Sequence, residues 1–377
     1  MVYLYRQRGE IMSLTAGIVG LPNVGKSTLF NAITKKHILA ANYPFATIEP
    51  NVGVVTVPDK RLDFLNELYQ PKSLVPSTFE FTDIAGLVSG ASKGEGLGNK
   101  FLSHIREMDA IVEVVRCFEN KDIIHVENTV DPIRDIEIIN VELILADLEV
   151  IENRINRVGK KAVMSKDKET LKEIELLNKI KESLLKNFPI RRMELDEEEL
   201  KIIKPFNFLT VKPIIYMANV GEEDLLDKKN EHVLKVEGYA EAENARVIKV
   251  CAKIEEELSD LSEDEKVAFL NDLGIEESGL DKLIKATYSL LGLETFFTAG
   301  TDEVRAWTFK KGTKAPQCAG IIHTDFEKGF IRAEVMSYYA LEKYGTEKAV
   351  KEAGKVRLEG KEYIMQDGDI CYFRFNV

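Results

Sequence analysis

Eight residues carry the plainest chemistry in this chain: Gly20-Leu-Pro-Asn-Val-Gly25-Lys26-Ser27, which spell G-x-x-x-x-G-K-S. A nucleoside triphosphate brings several negative charges, and a loop of this form wraps its backbone N–H groups around them. Gly20 and Gly25 let the chain turn tightly and approach the phosphates with no Cβ in the way. Lys26 would reach the β- and γ-phosphates, and the Ser27 hydroxyl would ligate Mg2+. The flanks suit the motif. Ala16-Gly-Ile-Val19 reads as the end of a buried strand, and Ser27 to Ile33 opens a helix whose N-terminal dipole adds to the anion site.

Other segments add detail to such a site. Asp83-Ile-Ala-Gly86 has the D-x-x-G form and follows an apolar strand. Its Asp83 would hold Mg2+ through water, and the Gly86 N–H would sense the γ-phosphate, so that hydrolysis releases the loop. Between the two motifs lies Asn42-Tyr-Pro-Phe-Ala-Thr47, where Thr47 is the candidate for a second Mg2+ hydroxyl; an ordinary loop threonine is the alternative. Small GTPases place a water-orienting glutamine after D-x-x-G, and here Leu87 stands there, able neither to donate nor to accept. The glycine-rich stretch from Ser89 to Gly98 reads as a switch loop.

Base selection falls to Asn219-Val220-Gly221-Glu222. Relative to N-K-x-D the lysine is missing and the acid is one methylene longer. That breaks the paired hydrogen bonds to guanine and leaves Asn219 free to contact adenine. Cys251-Ala252-Lys253 points the other way, because it is similar to the S-A-K loop whose backbone N–H reads guanine O6.

The elements that must position these residues follow from composition and periodicity. The chain has 377 residues, enough for two or three domains, and its 45% hydrophobic and 8% aromatic content is that of a folded protein. Residues 14–133 and 200–290 alternate apolar strands with helical segments, which predicts an α/β fold with a mostly parallel sheet. Strands are expected at 52–57, 78–82, 110–115, 212–218 and 245–250. Residues 134–199 interrupt them. Ile144, Leu148, Ile151, Ile155 and Val158 form a heptad seam, and Ile174, Leu177, Ile180 and Leu184 resume it, predicting an inserted helical coiled-coil hairpin. Its first arm and tip carry Arg154, Arg157, Lys160, Lys161, Lys166 and Lys168. They form either a solvated face or a basic groove that meets RNA phosphates. Helices should fill 255–291. A small α+β domain follows at 292–375, with strands at 304–309, 320–323, 331–335 and 369–375.

Four dispersed cysteines (Cys117, Cys251, Cys318, Cys371) suggest neither zinc nor disulfides and point to a reducing, cytoplasmic setting. No apolar run approaches a membrane span. The net charge of −12 argues against coating by nucleic acid over the whole surface. Residues 1–11 precede Met12 and read as an extension or a misassigned start.

The chain resembles the YchF subfamily of Obg-related P-loop NTPases, the Obg-like ATPases. The resemblance rests on Gly20 to Asn31, Asn42 to Asn51, Asp83 to Val88, Gly90 to Asn99, Val115-Arg-Cys-Phe-Glu-Asn120 and Asn219 to Glu222. It continues through His323 to Glu334 and the closing Phe373-Arg-Phe-Asn-Val377. It implies a G domain with an inserted coiled coil, a C-terminal TGS domain of β-grasp form, hydrolysis of ATP in preference to GTP with Mg2+, and association with ribosomes, through the large subunit. It also implies that Asn23, Val24, Gly25, Lys26, Ser27 and Thr28 hold the phosphates, Ser27 and Thr47 ligate Mg2+, and Asn219, Val220 and Glu222 surround the base. One departure stands out. Many bacterial members carry a histidine before V-V-R-C-F-E, and this chain has Glu113 there, which leaves the water-positioning residue unassigned. Three readings remain: an ATPase switch, a nucleotide-gated ribosome- or RNA-binding module with incidental turnover, and a GTPase.

Overall fold

The computed structural model describes residues 14–40, 51–84, 96–120 and 122–376, apart from positions 124, 127, 128, 166, 227 and 228. Thr47, Gly86, Leu87 and the glycine-rich stretch from Ser89 to Lys93 lie outside the described residues. In chain order the elements begin with β1 (Thr15–Val19), α1 (Lys26–Ala40), β2 (Val52–Thr56), α2 (Lys60–Tyr69), β3 (Ser73–Val75), β4 (Thr78–Asp83), α3 (Gly96–Glu107) and β5 (Ala110–Arg116). There follow α4 (Pro132–Ser165), α5 (Lys168–Leu184), α6 (Glu197–Ile203), β6 (Ile214–Asn219), α7 (Glu231–Glu241), β7 (Arg246–Val250), α8 (Ala252–Leu258), α9 (Glu263–Asp272) and α10 (Gly279–Leu290). The chain closes with β8 (Leu293–Ala299), β9 (Glu303–Lys310), α11 (Ala315–Ile322), α12 (Thr324–Lys328), β10 (Phe330–Ser337), α13 (Tyr338–Tyr344), α14 (Glu347–Glu352), β11 (Arg357–Glu359) and β12 (Asp369–Phe375).

Two compact units form. The first holds Thr15–Val54 and Glu80–Thr287 around a six-stranded sheet ordered β2-β4-β1-β5-β6-β7. β4, β1, β5, β6 and β7 pair in parallel. Helices on both faces explain the continuous apolar runs, and every residue of β5 and β6 is buried. This is the P-loop NTPase fold. The strand order reverses beside β1, so the loops at the carboxyl ends of β1, β4 and β6 converge on one edge.

Within this unit α4 and α5 pack along the seam read from the sequence. Ile144, Ile151, Leu177, Ile180 and Leu184 are buried, Leu148 and Ile155 partly so, and Leu176 joins them. Asp167 starts α5 by accepting from the Glu169 N–H. At the root, Asp147 of α4 accepts from the Leu209 N–H at 2.9 Å and from the Thr210 N–H and hydroxyl at 2.8 Å each.

The second unit gathers Val55–Phe79 with the chain from Tyr288 onward. Its sheet runs β11-β10-β12-β8-β9-β3. The sequence expectation kept 55–79 with the nucleotide-binding domain, and here the structure differs. β3 pairs in parallel with β9, and Leu62 and Leu65 of α2 are buried with Phe297, Val304, Ala306, Leu341, Val350 and Ile370. An apolar helix face is satisfied by whichever core it reaches, and periodicity does not say which. A second difference concerns Gly320-Ile-Ile-His323, expected as a strand. It ends α11, which starts with Pro316 in its first turn and buries Ala315, Cys318 and Ala319. Burial of 315, 318 and 319 shows helical spacing, which a four-residue apolar run does not reveal. All four cysteines are buried and unpaired to one another. Among the described residues no helix is long and apolar enough to cross a membrane.

Leu65, fully buried, tests the reassignment of α2. Leu65→Ala should cost about 2–5 kcal/mol. The loss should appear in denaturant unfolding followed by fluorescence of Trp307, the chain's single tryptophan, which lies in the second unit. A Trp307 transition that does not move would return α2 to the first unit.

Candidate functional site

The turn after β1 is shaped by close approach. A Cβ on Gly20 would stand 2.9 Å from the Val114 carbonyl oxygen and 2.9 Å from Val24 Cγ2. Asn23 sits at φ 64° and Gly25 at φ 97°, left-handed conformations that turn successive N–H groups toward one concavity. Val24 is buried and pins the loop from beneath, while Asn23 and Ser27 are exposed and Thr28 is half-buried. The Leu29 N–H donates to the Gly25 carbonyl at 3.0 Å, so α1 starts at the loop itself.

Parallel pairing sets Ile18 of β1 opposite Asp83 of β4. Lys26 and Asp83 meet there in an ion pair, with side chains only 11% and 21% exposed. The two motifs read separately from the sequence are thus brought together at the carboxyl ends of adjacent strands. Hard oxygen donors, the Asp83 carboxylate and the Ser27 hydroxyl, lie beside a loop shaped for phosphate. That donor set fits Mg2+.

Asn219, at the end of β6, is 4% exposed and its carboxamide is committed. Nδ2 donates to the Val24 carbonyl at 2.8 Å, and Oδ1 accepts from the Ala252 N–H at 3.0 Å. Asn219 therefore braces the phosphate loop against the start of α8, a role the sequence reading did not assign to it. The same contact explains Gly25, since a Cβ there would fall 2.1 Å from Asn219 Nδ2. Val220 is buried beside it, its N–H on the Val250 carbonyl at 2.9 Å. Glu222 is exposed, and its Oε1 takes the Lys253 ammonium at 2.5 Å. That hydrogen bond raises the Lys253 pKa. Cys251 is a buried cap, its thiol pushed up by burial.

Comparison with known proteins bears on this arrangement. A family profile described as "50S ribosome-binding GTPase" matches residues 15–146, and one described as "YchF-GTPase_C: Protein of unknown function (DUF933)" matches residues 293–376. The chain is 63% identical over 367 residues to "Ribosome-binding ATPase YchF" of Bacillus subtilis, covering 97% of this chain and all of that protein. It is 49% identical over 369 residues to "Obg-like ATPase 1" of Gallus gallus, covering 97% and 93%. The chain belongs to the YchF family. The solved YchF GTPase of Schizosaccharomyces pombe superposes with a TM-score of 0.86 at 44% identity, covering 98% of this chain and all of that one.

The YchF string Val115 to Asn120 now has a structural reason. Arg116 is buried, and its guanidinium donates to the carbonyls of Phe118, Ile123 and Asn120 at 3.1, 3.0 and 3.2 Å, holding the loop after β5. His125, in the same stretch, is buried 2.8 Å from Asp135. His104 does stand exposed on α3.

Glu113 is 1% exposed and pairs in register with Val19 and Tyr216. The charges that act on it are Arg191, Glu243 and Asp135, and neither Lys26 nor Asp83 is among them. In register beside Tyr216, which donates to Glu243, it belongs with the charged groups at the hairpin root. Arg191 binds Glu243 at 3.0 Å and Asn140 at 2.7 Å, and Tyr216 donates to Glu243 at 2.8 Å. Glu113 Oε2 has no hydrogen-bond partner among the described residues. This polar knot inside β5 was not read from the sequence; a lone glutamate and a lone arginine in apolar runs were its only signal.

Burial holds the Glu113 carboxyl well above the ordinary carboxylate range; Arg191 offsets part of that, while Glu243 and Asp135 add to it. The folded state then keeps a proton that the unfolded chain releases near its ordinary pKa, so stability falls as pH rises between the two values. Glu113→Gln should remove this penalty, gaining up to about 1.4 kcal/mol per pH unit above the unfolded pKa. Unfolding midpoints from pH 4 to 8 check it. A variant less stable at every pH would mean that Glu113 is charged and paired with Arg191.

Proposed function

We propose that this chain is an ATP hydrolase that uses Mg2+ and acts as a nucleotide-dependent switch on the ribosome. The observation that carries this reading is the meeting of Lys26 with Asp83 beneath the left-handed turns of Asn23 and Gly25. Asn23 to Thr28 would hold the triphosphate, with Lys26 on the β- and γ-phosphate oxygens. Ser27 and Thr47 would ligate Mg2+ directly and Asp83 through water. When bound, the ion would neutralise charge on the phosphate oxygens. Gly86 would sense the γ-phosphate, so hydrolysis would let the D-x-x-G segment relax. Water is the phosphoryl acceptor, and catalysis rests on positioning and charge stabilisation.

Preference for ATP is supported by Glu222. Guanine would need both carboxylate oxygens for its N1 and N2 donors, and one of them is held by Lys253. The Ala252 N–H, which the guanine reading would need for O6, is already given to Asn219. Ribosome association, through the large subunit in the cytoplasm, is supported by the names of the relatives and by the profile matched at 15–146.

A second reading, a nucleotide-gated binding module with incidental turnover, is favoured by one observation: Glu113 is sequestered and Leu87 is apolar, which implies slow hydrolysis unaided. Turnover measured with and without purified ribosomes separates the two. Stimulation supports the switch, and an unchanged rate supports the module.

The RNA contact proposed for the hairpin needs amendment. Arg154 is held bidentate by Glu173, at 2.6 and 3.0 Å, so it serves the hairpin's own packing. Arg157 and Lys168 are exposed, and the side chains of Lys160, Lys161 and Lys166 lie outside the described residues. Arg157→Glu with Lys168→Glu should weaken ribosome co-sedimentation and flatten its salt dependence by roughly one unit of log–log slope per lost phosphate contact, with ATP binding unaltered. Unchanged, salt-independent sedimentation would remove the hairpin as an RNA contact.

Calorimetric titration with ATP and GTP analogues in Mg2+ tests the base assignment. A tenfold preference for ATP, about 1.4 kcal/mol, is expected. Equal or tighter GTP binding would make the protein a GTPase. Lys26→Ala should lose about 3 kcal/mol or more of charge stabilisation, roughly a hundredfold in turnover. A wild-type rate in that variant would sink the site.

A further inference from the structure

α3 is the first described element after β4, the strand that ends on Asp83. Its C-terminal end leaves orphan carbonyls at the negative pole of the helix dipole. Those carbonyls are held by one short loop at the hairpin root. Lys212 Nζ donates to the Arg106 carbonyl at 3.0 Å and also to that of Met108. Asn207 Nδ2 donates to the Arg106 carbonyl at 2.8 Å, and Arg106 Nη1 returns a bond to the Asn207 carbonyl at 3.0 Å. Lys212 lies buried over these acceptors, its pKa lowered by that burial.

The same loop, on its way to β6, is bonded to the hairpin. Two and three residues past Asn207, the amides of Leu209 and Thr210 are bound by Asp147 of α4. The Thr210 carbonyl accepts from Arg191 N–H at 2.9 Å, which fixes the chain leaving the hairpin's second arm as well. A groove of about 330 Å3 is lined by Leu102 and Ser103 of α3 and Glu149 and Asn153 of α4. Beside it, the direct bonds at 207–212 tie the end of α3 to α4 through the loop.

We propose that the loop 207–212 transmits the state of the nucleotide site from α3 to the helical hairpin, with Asn207 and Lys212 gripping α3 and Asp147 gripping the loop. The inference rests on the nucleotide-site reading above. A shift of the α3 C-terminus either carries the loop with it or breaks bonds to carbonyls that have no other partner in the helix. Either way the Asp147 contacts feel it. Coupling of this kind is a difference in free energy between two arrangements, so it should vanish when the grip is removed while nucleotide affinity stays.

Asn207 supplies the clean test. It is exposed and sits at φ 49°, a conformation glycine adopts readily, so Asn207→Gly deletes the grip without straining the turn. Hydrogen–deuterium exchange would be measured on the full chain with and without a non-hydrolysable ATP analogue and Mg2+. In the wild type the analogue should change exchange several-fold at the Leu209 and Thr210 amides and in α4 near Asp147. In Asn207→Gly that change should be lost, with the analogue's Kd unaltered by calorimetry and protection of α1 retained. Lys212→Gln should show the same loss. A wild type that binds the analogue with no change in loop or α4, or a glycine variant that transmits fully, overturns the proposal. A wild type that does not bind the analogue overturns the nucleotide site itself.

Discussion

The nucleotide-binding unit depends on one buried carboxamide. Asn219 joins the Val24 carbonyl to the Ala252 N–H, and so fastens three loops from the carboxyl ends of β1, β6 and β7. A buried amide with both ends satisfied is rigid, because breaking either bond leaves a polar group unpaired away from water. Gly25 follows from it, since no side chain fits against Asn219 Nδ2. The left-handed turns at Asn23 and Gly25 then present the backbone donors, and Lys26 is carried to Asp83.

Buried polar joints, beside apolar packing, hold the hairpin to this unit. Arg191, Glu243, Tyr216 and Asn140 form one buried knot, and Asp147 with Leu209 and Thr210 forms another. Each places charge where water is excluded, which is tolerated only because nearly every partner is bonded. Burial raises the Asp147 carboxyl in spite of three donors, a measure of how dry the root is. Such joints specify one geometry, since a slipped register would strand the charges. The arms beyond the root pack by ordinary heptad burial.

The second unit is completed by a segment borrowed from the middle of the first. β3 extends its sheet beside β9, and Arg61 of α2 reaches Asp367 at 2.8 Å while Asp367 accepts the Thr295 N–H at 2.9 Å. The chain therefore passes between the units in β2 and in β4, the strand whose far end carries Asp83.

Much was legible in the sequence. The phosphate loop, D-x-x-G, the helical seam and most strands are local patterns, fixed by spacing within a few residues; the loop, Asp83, the seam and those strands stand in the structure where the sequence put them. What it did not contain was partnership across long separations. Whether Asn219 is free or committed depends on Val24 and Ala252, whether Arg154 meets RNA or Glu173 depends on how α4 meets α5, and whether Leu65 belongs to one core or another depends on topology. Residue type and spacing determine which chemistry a chain possesses. Only the tertiary structure decides which of those groups are spent on one another, because hydrogen bonds and burial are settled between residues far apart in the chain.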